Sequence, residues 1–344
     1  MIVTHDKHNA PEIESCRLSV VIPCYNDGFY LPQAVESVLS QGVPGVELEI
    51  LVIDDHSSDP YTLEVFSRLE TANREVHILH NTGIRGPAAA RNIGIKAARG
   101  EWIAFLDSDD IWLSGGLLAR WQATKDIPNA EWIGADFVYW YKDGTCDQMG
   151  YFKTNSITGR SVCSAYHSGR PQRFVRPVHE FLTCLLTWTS TTLVKKCLLE
   201  RVGGFDERLK GPEDFHLWIR LARVSDFYFV PVIAAKYRQH DKSLMNGRGN
   251  IHFCRRREAV NLLLLDPAFS PYRGAIRDNL TFFHRDIAYG HLADGEKWLA
   301  VHHAVMAVLR KPFWVSGWKT LLHIILRLKQ EMLRSQATDS CNSC

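Results

Sequence analysis

The feature that most constrains this fold is a regular alternation of short apolar runs and helical patterns in the first third of the chain. The apolar runs are rich in Val, Ile and Leu and are bounded by turn residues, which is typical of buried strands. The predicted strands are 18–23, 48–53, 76–79 and 102–106, and the predicted helices are 31–41, 61–72 and 87–98. This order predicts an α/β fold with a mostly parallel central sheet and right-handed crossovers.

Polar residues follow three of these four strands where each strand ends. Tyr25 and Asn26 follow the first strand, Asp54 and Asp55 follow the second, and an acidic turn at 107–110 follows the fourth. In open α/β sheets, ligands bind outside the carboxyl ends of the strands. The sequence therefore predicts a ligand site at this edge of the sheet.

The common phosphate-binding loops are absent after the first strand. The segment at 24–29 reads Cys-Tyr-Asn-Asp-Gly-Phe, which is neither a dinucleotide-binding turn nor a P-loop. A divalent cation held by carboxylates can neutralise a diphosphate instead. Asp107-Ser108-Asp109 supplies hard oxygen ligands for Mn²⁺ or Mg²⁺. Acidic triplets are also common in solvated loops, but the position at the end of a strand favours a ligand site.

Six ordered segments together resemble the family 2 glycosyltransferases. They are VIPCYN at 21–26, LVIDDHSSD at 51–59, NTG at 81–83 with ARNIG at 90–94, FLDSDD at 105–110, GGFDE at 203–207 with ED at 213–214, and YRQHDKS at 237–243. The resemblance covers residues 17–245. It implies a GT-A-type, Rossmann-like sheet flanked by helices, with a helical C-terminal extension.

The domain organisation predicted from the resemblance has four parts. Residues 1–16 form a polar N-terminal segment, 17–245 the glycosyltransferase domain, 246–335 a helical region and 336–344 a flexible tail. Within the glycosyltransferase domain, 17–110 is the nucleotide-binding half and 111–245 the acceptor half.

The resemblance also implies a role for individual residues. Asp55 is expected to accept a hydrogen bond from the base of a nucleoside diphosphate, with uracil as the expected base, and Asp214 to act as the catalytic base. The residues implied in nucleotide binding are Pro23, Tyr25, Asn26, Asp55, Arg91, Asp107 and Ser108. Asp109 is implied as a direct metal ligand, and His240 as a residue that approaches the metal or the diphosphate.

Two further residues are candidates for acceptor binding, Trp188 and Glu213. Trp188 could stack on a sugar, but a core tryptophan is an equally simple interpretation. Glu213 and Asp214 begin a helical pattern after Gly211-Pro212. Acids at this position are explained by helix capping as well as by catalysis, and an inverting transfer needs one base to deprotonate the acceptor hydroxyl.

These features predict an inverting enzyme that transfers one sugar from a nucleoside diphosphate sugar, with UDP-sugar as the expected donor. The expected acceptor is a saccharide or a lipid-linked saccharide of cell-surface polysaccharide or glycoconjugate biosynthesis. A Q-x-x-R-W element of processive synthases is lacking, which favours single-sugar transfer. The alternatives are a sugar-nucleotide pyrophosphorylase and a catalytically silent nucleotide- or carbohydrate-binding protein. With 40 basic and 38 acidic residues, the charge gives no support to nucleic-acid binding.

The cysteines and the C-terminal region bear on location. Nine irregularly spaced cysteines after a polar start without a signal-peptide pattern favour reduced thiols in the cytoplasm. A basic, amphipathic helix is expected at about 313–333. It could lie on the inner face of a membrane, pack on the catalytic domain or form a homodimer seam, and the sequence leaves these alternatives open.

Overall fold

The computed structural model describes residues 16–155, 157–240 and 251–341. Its first half confirms the predicted alternation of strands and helices. The elements are β1 (Cys16–Cys24), α1 (Leu31–Leu39), β2 (Val46–Asp54), α2 (Pro60–Ala72), β3 (Val76–His80), α3 (Pro87–Ala97) and β4 (Trp102–Phe105). Strand ends lie within two residues of the predicted ones because each strand is a continuous buried apolar run.

The first four strands are parallel and lie in the order β3-β2-β1-β4. The register pairs Cys24 at the end of β1 with Asp54 at the end of β2. The loops that leave these strands therefore emerge at one edge of the sheet, as the polar clusters predicted.

The second half adds five strands, and it brings short antiparallel pairings into the mostly parallel sheet. Its elements are β5 (Ile111–Trp112), α4 (Gly116–Asp126), β6 (Trp132–Trp140), α5 (Tyr151–Thr154), α6 (Thr158–Ser168), β7 (Gln172–Phe174), α7 (Val178–Thr183), β8 (Leu193–Lys195), α8 (Lys196–Val202), α9 (Glu213–Val224) and β9 (Phe227–Arg238). Among the described residues, the nine strands form one sheet in the order β3-β2-β1-β4-β8-β6-β9-β5, with β7 also paired to β9. The β8 strand is antiparallel to both β4 and β6, so β4 and β6 run in the same direction on either side of it.

An aromatic cluster holds α9 against the second half of the sheet. The ring of Trp132 on β6 stacks on Phe181, with centroids 4.8 Å apart, and on Trp218 of α9, with centroids 5.7 Å apart. Trp132 and Trp218 are fully buried. Aromatic pairs of this kind contribute stability beyond the area they bury, and here they fix the start of α9, which carries Glu213 and Asp214.

Four helices follow: α10 (Ile251–Leu265), α11 (Arg273–Ala293), α12 (Lys297–Arg310) and α13 (Val315–Cys341). Apolar side chains of α10 and of most of α11 join the main core, whereas Ile324 of α13 packs in a smaller cluster with α11 and α12. The α13 helix continues to Cys341 and so includes residues predicted as a flexible tail. Among the residues that the structure describes, none of the helices combines the length and apolar character needed to cross a bilayer.

A buried histidine pair joins α11 to α12. Nδ1 of His284 lies 2.9 Å from Nδ1 of His303, and both side chains are buried. Burial lowers the pKa of each imidazole to about 4, helped by the positive charge of Arg310 at His284 and of Arg257 at His303. The nearby rings of His291 and His302 add to the effect when they are protonated. Both histidines are therefore neutral in the folded protein at neutral pH.

We expect the stability of the protein to fall between pH 8 and pH 5. An unfolded histidine has a pKa of about 6.5, so below that pH the unfolded chain binds more protons than the folded one. The stability contributed by each neutral histidine is thus complete above pH ~6.5 and is lost as the pH falls toward 4, by about 2 kcal/mol per histidine at pH 5. Urea unfolding at both pH values measures this change.

The double variant His284→Asn/His303→Asn should lose less stability than the wild type over the same pH range. The exposed His167, changed to Asn, serves as the control and should behave like the wild type. An equal pH dependence in the double variant and the wild type would show that this pair does not carry the effect.

Candidate functional site

The acidic turn after β4 is held rigidly by residues from the second half of the chain. The buried carboxylate of Asp110 accepts hydrogen bonds from the Ser190 hydroxyl at 2.6 Å and from the Arg238 backbone amide at 3.1 Å. The Asp107 backbone amide donates to the Ser190 hydroxyl oxygen at 3.2 Å. Burial raises the pKa of Asp110 well above its usual value, and the charges of Asp109 and Asp107 raise it further. Asp110 thus anchors the turn.

Asp109 and His240 form the pair best suited to a cation. Oδ2 of Asp109 lies 2.8 Å from Nε2 of His240. Adjacent ligands of an octahedral Mg²⁺ are about 3 Å apart, given metal–ligand distances of about 2.1 Å. The pair therefore fits two neighbouring positions around such an ion. In the segment YRQHDKS at 237–243, which contains His240, residues 241–243 lie outside the described part of the chain.

Asp109 and His240 would supply only two of the ligands that such a cation needs. Within residues 16–155, 157–240 and 251–341, no cluster of three or more His, Cys, Asp or Glu side chains is arranged to hold a metal ion. Mg²⁺ sites that act on nucleotides use one or two carboxylates and fill the remaining positions with phosphate oxygens and water. Asp109 and His240 fit this kind of shared site.

Arg91 connects the acidic turn to α9. Its guanidinium is almost completely buried; Nη2 lies 2.6 Å from Oδ1 of Asp107 and Nη1 lies 2.5 Å from Oε1 of Glu213. Burial alone would lower the pKa of Arg91, but these two carboxylates raise it above its usual value. Arg91 was predicted near the nucleotide, and the structure gives it two carboxylate partners within the protein.

Asp214 lies beside this cluster. Its Oδ2 accepts a hydrogen bond from the Thr189 hydroxyl at 3.2 Å, and its Oδ1 accepts one from the Phe215 amide at 2.6 Å. Burial raises the pKa of Asp107, Arg91 opposes that rise, and the charges of Asp109 and Asp214 add to it. The three aspartates therefore lie close enough to interact electrostatically, as a single site requires.

This cluster contains more carboxyl groups than guanidinium groups. The carboxyl groups belong to Asp107, Asp109, Asp110, Glu213 and Asp214, and the guanidinium groups near them to Arg91, Arg238 and Arg256. Burial raises the pKa of Glu213, and Asp214 adds to this rise while Arg91 opposes it. Burial therefore disfavours the charged forms of Asp107, Asp110 and Glu213, and Arg91 favours those of Asp107 and Glu213.

The nucleotide-binding candidates of the first half also meet at this edge. Both carboxylate oxygens of Asp55 accept protein hydrogen bonds, from Asn81 Nδ2 at 2.7 Å and from the Gly86 amide at 2.9 Å. Each carboxylate oxygen has more than one lone pair, so Asp55 can still accept a hydrogen bond from a base. Pro23 pairs with Ile53 inside the sheet, directly before these loops.

Asn26 and Tyr25 hold the loops at this edge of the sheet, around the predicted nucleotide pocket. The Asn26 side-chain oxygen accepts the amides of Ser58 and Asp59 at 2.8 and 2.9 Å. The half-exposed ring of Tyr25 is covered by Arg85, whose Nη1 also donates to the tyrosine hydroxyl at 3.0 Å. Ser108 donates to Asp27 at 2.8 Å. These contacts shape the pocket, and the roles of these residues toward a nucleotide stay predictions.

The two acceptor candidates have protein partners. The Trp188 ring is half-buried and packs on Phe137 and Tyr237, with centroids 5.2 and 5.0 Å away. Its packing matches the core interpretation. Glu213 is buried against Arg91, so its direct effect in the structure is on the position of α9. Contact of either residue with an acceptor stays a prediction.

An open cavity of about 450 Å³ lies next to the Asp109–His240 pair. Its lining includes Tyr30, Trp140, Lys142 and Arg238, together with His240 itself. The Arg238 guanidinium stacks between the rings of Trp140, at 3.9 Å, and Tyr30, at 4.8 Å, and its Nε donates to the backbone oxygen of Asp109 at 2.7 Å. The cavity offers aromatic faces and positive charge beside the acidic turn.

Sequence analysis missed Arg256 as part of this site. The Arg256 guanidinium lies 5.2 Å from the centre of the Phe215 ring. Burial lowers its pKa, and the charge of Asp214 opposes that change. The signal was the run Arg255-Arg256-Arg257 near the start of α10, but only the packing of α10 on α9 shows that one of these three residues faces Asp214.

Replacing Arg91 with Met should destabilise the protein by about 3–5 kcal/mol, because Asp107 and Glu213 would then be left without their buried cation. Urea unfolding measures the loss. The control is Arg173→Met, which breaks an exposed ion pair with Asp226 and should cost far less stability. Equal losses in the two variants would show that the Arg91 pairs do not stabilise the fold.

The comparisons with known proteins agree with this geometry. Residues 19–161 match the family model described as "Glycosyl transferase family 2". Over residues 19–161 the chain resembles the family 2 glycosyltransferases. It is 28% identical over 233 residues to WfgD of Escherichia coli, named as a UDP-Glc:alpha-D-GlcNAc-diphosphoundecaprenol beta-1,3-glucosyltransferase, with 67% of this chain and 80% of that protein covered.

Two other relatives match this chain over a smaller share of their own length than WfgD does. A glycosyltransferase of Rickettsia typhi is 28% identical over 67% of this chain and 66% of its own length. The glycosyltransferase GlyG of Streptococcus pneumoniae is 34% identical over 42% of this chain and 45% of its own length. This chain thus spans just under two thirds and just under half of these two relatives.

The fold resembles that of a solved glycosyltransferase structure. The crystal structure of S. aureus TarS residues 1–349 in complex with UDP-GlcNAc superposes with a TM-score of 0.59 at 17% identity, covering 86% of this chain and 81% of that one. At this identity the likeness establishes the GT-A fold alone.

Proposed function

We propose that this chain is a family 2 glycosyltransferase that transfers a single sugar, with inversion, from a nucleoside diphosphate sugar to a hydroxyl group of a saccharide or lipid-linked saccharide. The observation that carries the proposal is the cluster at the carboxyl edge of the sheet, where Arg91 pairs with Asp107 and Glu213 and where Asp109 and Asp214 lie near Asp107. UDP-sugar is the proposed donor class, and cell-surface polysaccharide or glycoconjugate biosynthesis is the proposed setting. The name of WfgD specifies a UDP-Glc donor and a lipid diphosphate acceptor. This relative supports the proposed donor class and the proposed setting.

The proposed nucleotide site lies between β1 and β2. Asp55 would accept a hydrogen bond from the base, while Pro23, Tyr25 and Asn26 shape the pocket around base and ribose. The nearby turn with Asp107 and Ser108 would face the ribose and the first phosphate. In this proposal the diphosphate would lie over the acidic turn, where carboxylates alone would repel it.

We propose Mn²⁺ or Mg²⁺ as the cation that removes this repulsion, held by Asp109 and His240. When bound, such an ion stabilises the negative charge that develops on the leaving diphosphate. Two protein ligands leave coordination positions for phosphate oxygens, which makes the ion and the donor bind together.

Asp214 is the proposed catalytic base. It takes the proton of the acceptor hydroxyl while that oxygen forms a bond to the anomeric carbon, and the bond from that carbon to the diphosphate oxygen breaks with its electron pair. Because the acceptor attacks from the face opposite the diphosphate, the anomeric configuration inverts. Thr189 and the Phe215 amide fix the Asp214 carboxylate for this step, and Arg91 with Glu213 positions the start of α9.

A panel of nucleoside diphosphate sugars tests the proposal. Thermal shift with and without Mn²⁺ should show stabilisation by one donor class, because a ligand that binds only the folded state raises its stability. With that donor, free nucleoside diphosphate should form only when acceptor is added. Production of a sugar 1-phosphate and a nucleoside triphosphate with added pyrophosphate would instead indicate a pyrophosphorylase, and binding without turnover would indicate a silent binding protein.

A further inference from the structure

The α13 helix carries two apolar stripes on different faces. Successive residues of a helix are separated by about 100°. Leu321, Ile324 and Leu328 lie on one face and pack on α11 and α12. The second stripe is exposed, and with an exposed residue of the preceding loop it forms what we call the apolar face: Phe313, Val315, Trp318, Leu322, Ile325 and Leu326. The packing of α13 on the protein therefore accounts for only half of its apolar surface.

The apolar face is exposed to a degree unusual for large side chains. Phe313 is 99% exposed and Trp318 is 53% exposed, and the other four are about half exposed or more. Contiguous exposed apolar surface of this kind marks an interaction site on a folded protein. The indole N–H of Trp318 donates to the backbone oxygen of Pro312 at 2.7 Å. Its polar group is already satisfied, so its ring can enter an apolar environment without losing a hydrogen bond.

Most of the charged residues on and beside this face are basic. From residue 297 to residue 330 the sequence contains six Lys and Arg residues and no Asp or Glu. Of these, Lys319, Arg327 and Lys329 are exposed residues of α13 itself. Lys311, in the loop before α13, pairs with Asp278 of α11 at 3.0 Å. The surroundings of the apolar face are therefore strongly basic.

We propose that the apolar face and its basic border bind the surface of an anionic lipid membrane, with α13 lying parallel to that surface. Aromatic and aliphatic side chains enter the boundary between headgroups and acyl chains, and the basic side chains contact anionic headgroups. A second copy of the chain fits less well, because a symmetric contact would bring the exposed Lys319 and Lys329 side chains of one copy near those of the other. The inference concerns a surface remote from the catalytic residues and goes beyond the proposed function.

Vesicle flotation with the full chain tests the inference. Wild type should float with vesicles of phosphatidylcholine that contain phosphatidylglycerol and should stay behind with phosphatidylcholine alone. The charge variant Lys319→Gln/Arg327→Gln/Lys329→Gln should bind the anionic vesicles about 100-fold more weakly, since each basic residue near such a surface contributes about 1 kcal/mol. The apolar variant Phe313→Ser/Leu322→Ser/Ile325→Ser should lose about tenfold or more.

Leu63→Ser/Val175→Ser is the matched control, because it removes exposed aliphatic residues elsewhere and should float like the wild type. Circular dichroism of each variant checks that the fold is retained. Wild type that does not float with anionic vesicles, or an apolar variant that floats as well as the wild type, would overturn the inference. Dimerisation that is lost in the apolar variant, without vesicle binding by the wild type, would overturn it in favour of a second copy. None of these readouts depends on sugar transfer.

Discussion

An Asp214→Asn variant should bind the donor as tightly as the wild type and transfer its sugar about 10²–10⁴-fold more slowly, the usual contribution of a general base. Asn has the shape of Asp and can keep the hydrogen bond from the Phe215 amide, but it cannot take the proton of the acceptor hydroxyl. Steady-state kinetics should therefore show a lower kcat with little change in KM for the donor.

Asp226→Asn is the matched control for this substitution. Asp226 pairs with Arg173 on the surface and lies outside the proposed site, so its variant should retain normal kinetics. An Asp214→Asn enzyme with unchanged kcat would exclude Asp214 as the base and would leave helix capping as the explanation of this acid.

Removing the Asp109 carboxylate should have a comparable effect by a different route. Asp109→Ala deletes one of the two proposed protein ligands, and loss of several kcal/mol of transition-state stabilisation lowers transfer on the order of 10³-fold. The Mn²⁺ concentration needed to activate this variant should also be higher than for the wild type. Chelation of divalent ions by EDTA should reduce wild-type transfer to a similar level, and Mn²⁺ should restore it.

Asp126→Ala, which removes an exposed acid at the end of α4, is the control and should keep the wild-type response to Mn²⁺. Full transfer by the wild type after EDTA treatment and dialysis would contradict the proposed role of a cation and would shift the task of neutralising the diphosphate to protein side chains.

The first half of the fold could be predicted because its information is local. The parallel strands are rich in apolar residues, and three of the first four are followed by polar residues that meet at the sheet edge, so Asp55 and Asp107 could be placed together from sequence. The segment 140–179 contains α5, α6 and the three-residue β7, which pairs with β9 across more than fifty residues. Short elements held by distant partners leave little periodicity to detect.

The site shows the same division. The ion pair between Arg91 and Glu213 joins residues 122 positions apart, and the motifs that contain them gave each a separate role. Arg256 faces Asp214 only because α10 packs on α9. Sequence could therefore name the acids of the site and Arg91, whereas the ion pairs of Arg91 and the position of Arg256 required the packing of distant segments.

Donor binding and single-turnover transfer measured on the same samples test the central claim most directly. The samples are wild type, Asp109→Ala, Asp214→Asn and the double variant, each with saturating acceptor and Mn²⁺. The account predicts that Asp214→Asn binds the donor normally but transfers its sugar slowly. Asp109→Ala should lose the Mn²⁺-dependent part of donor binding. The double variant should show neither Mn²⁺-dependent donor binding nor normal sugar transfer. Wild-type transfer by the double variant would contradict the account.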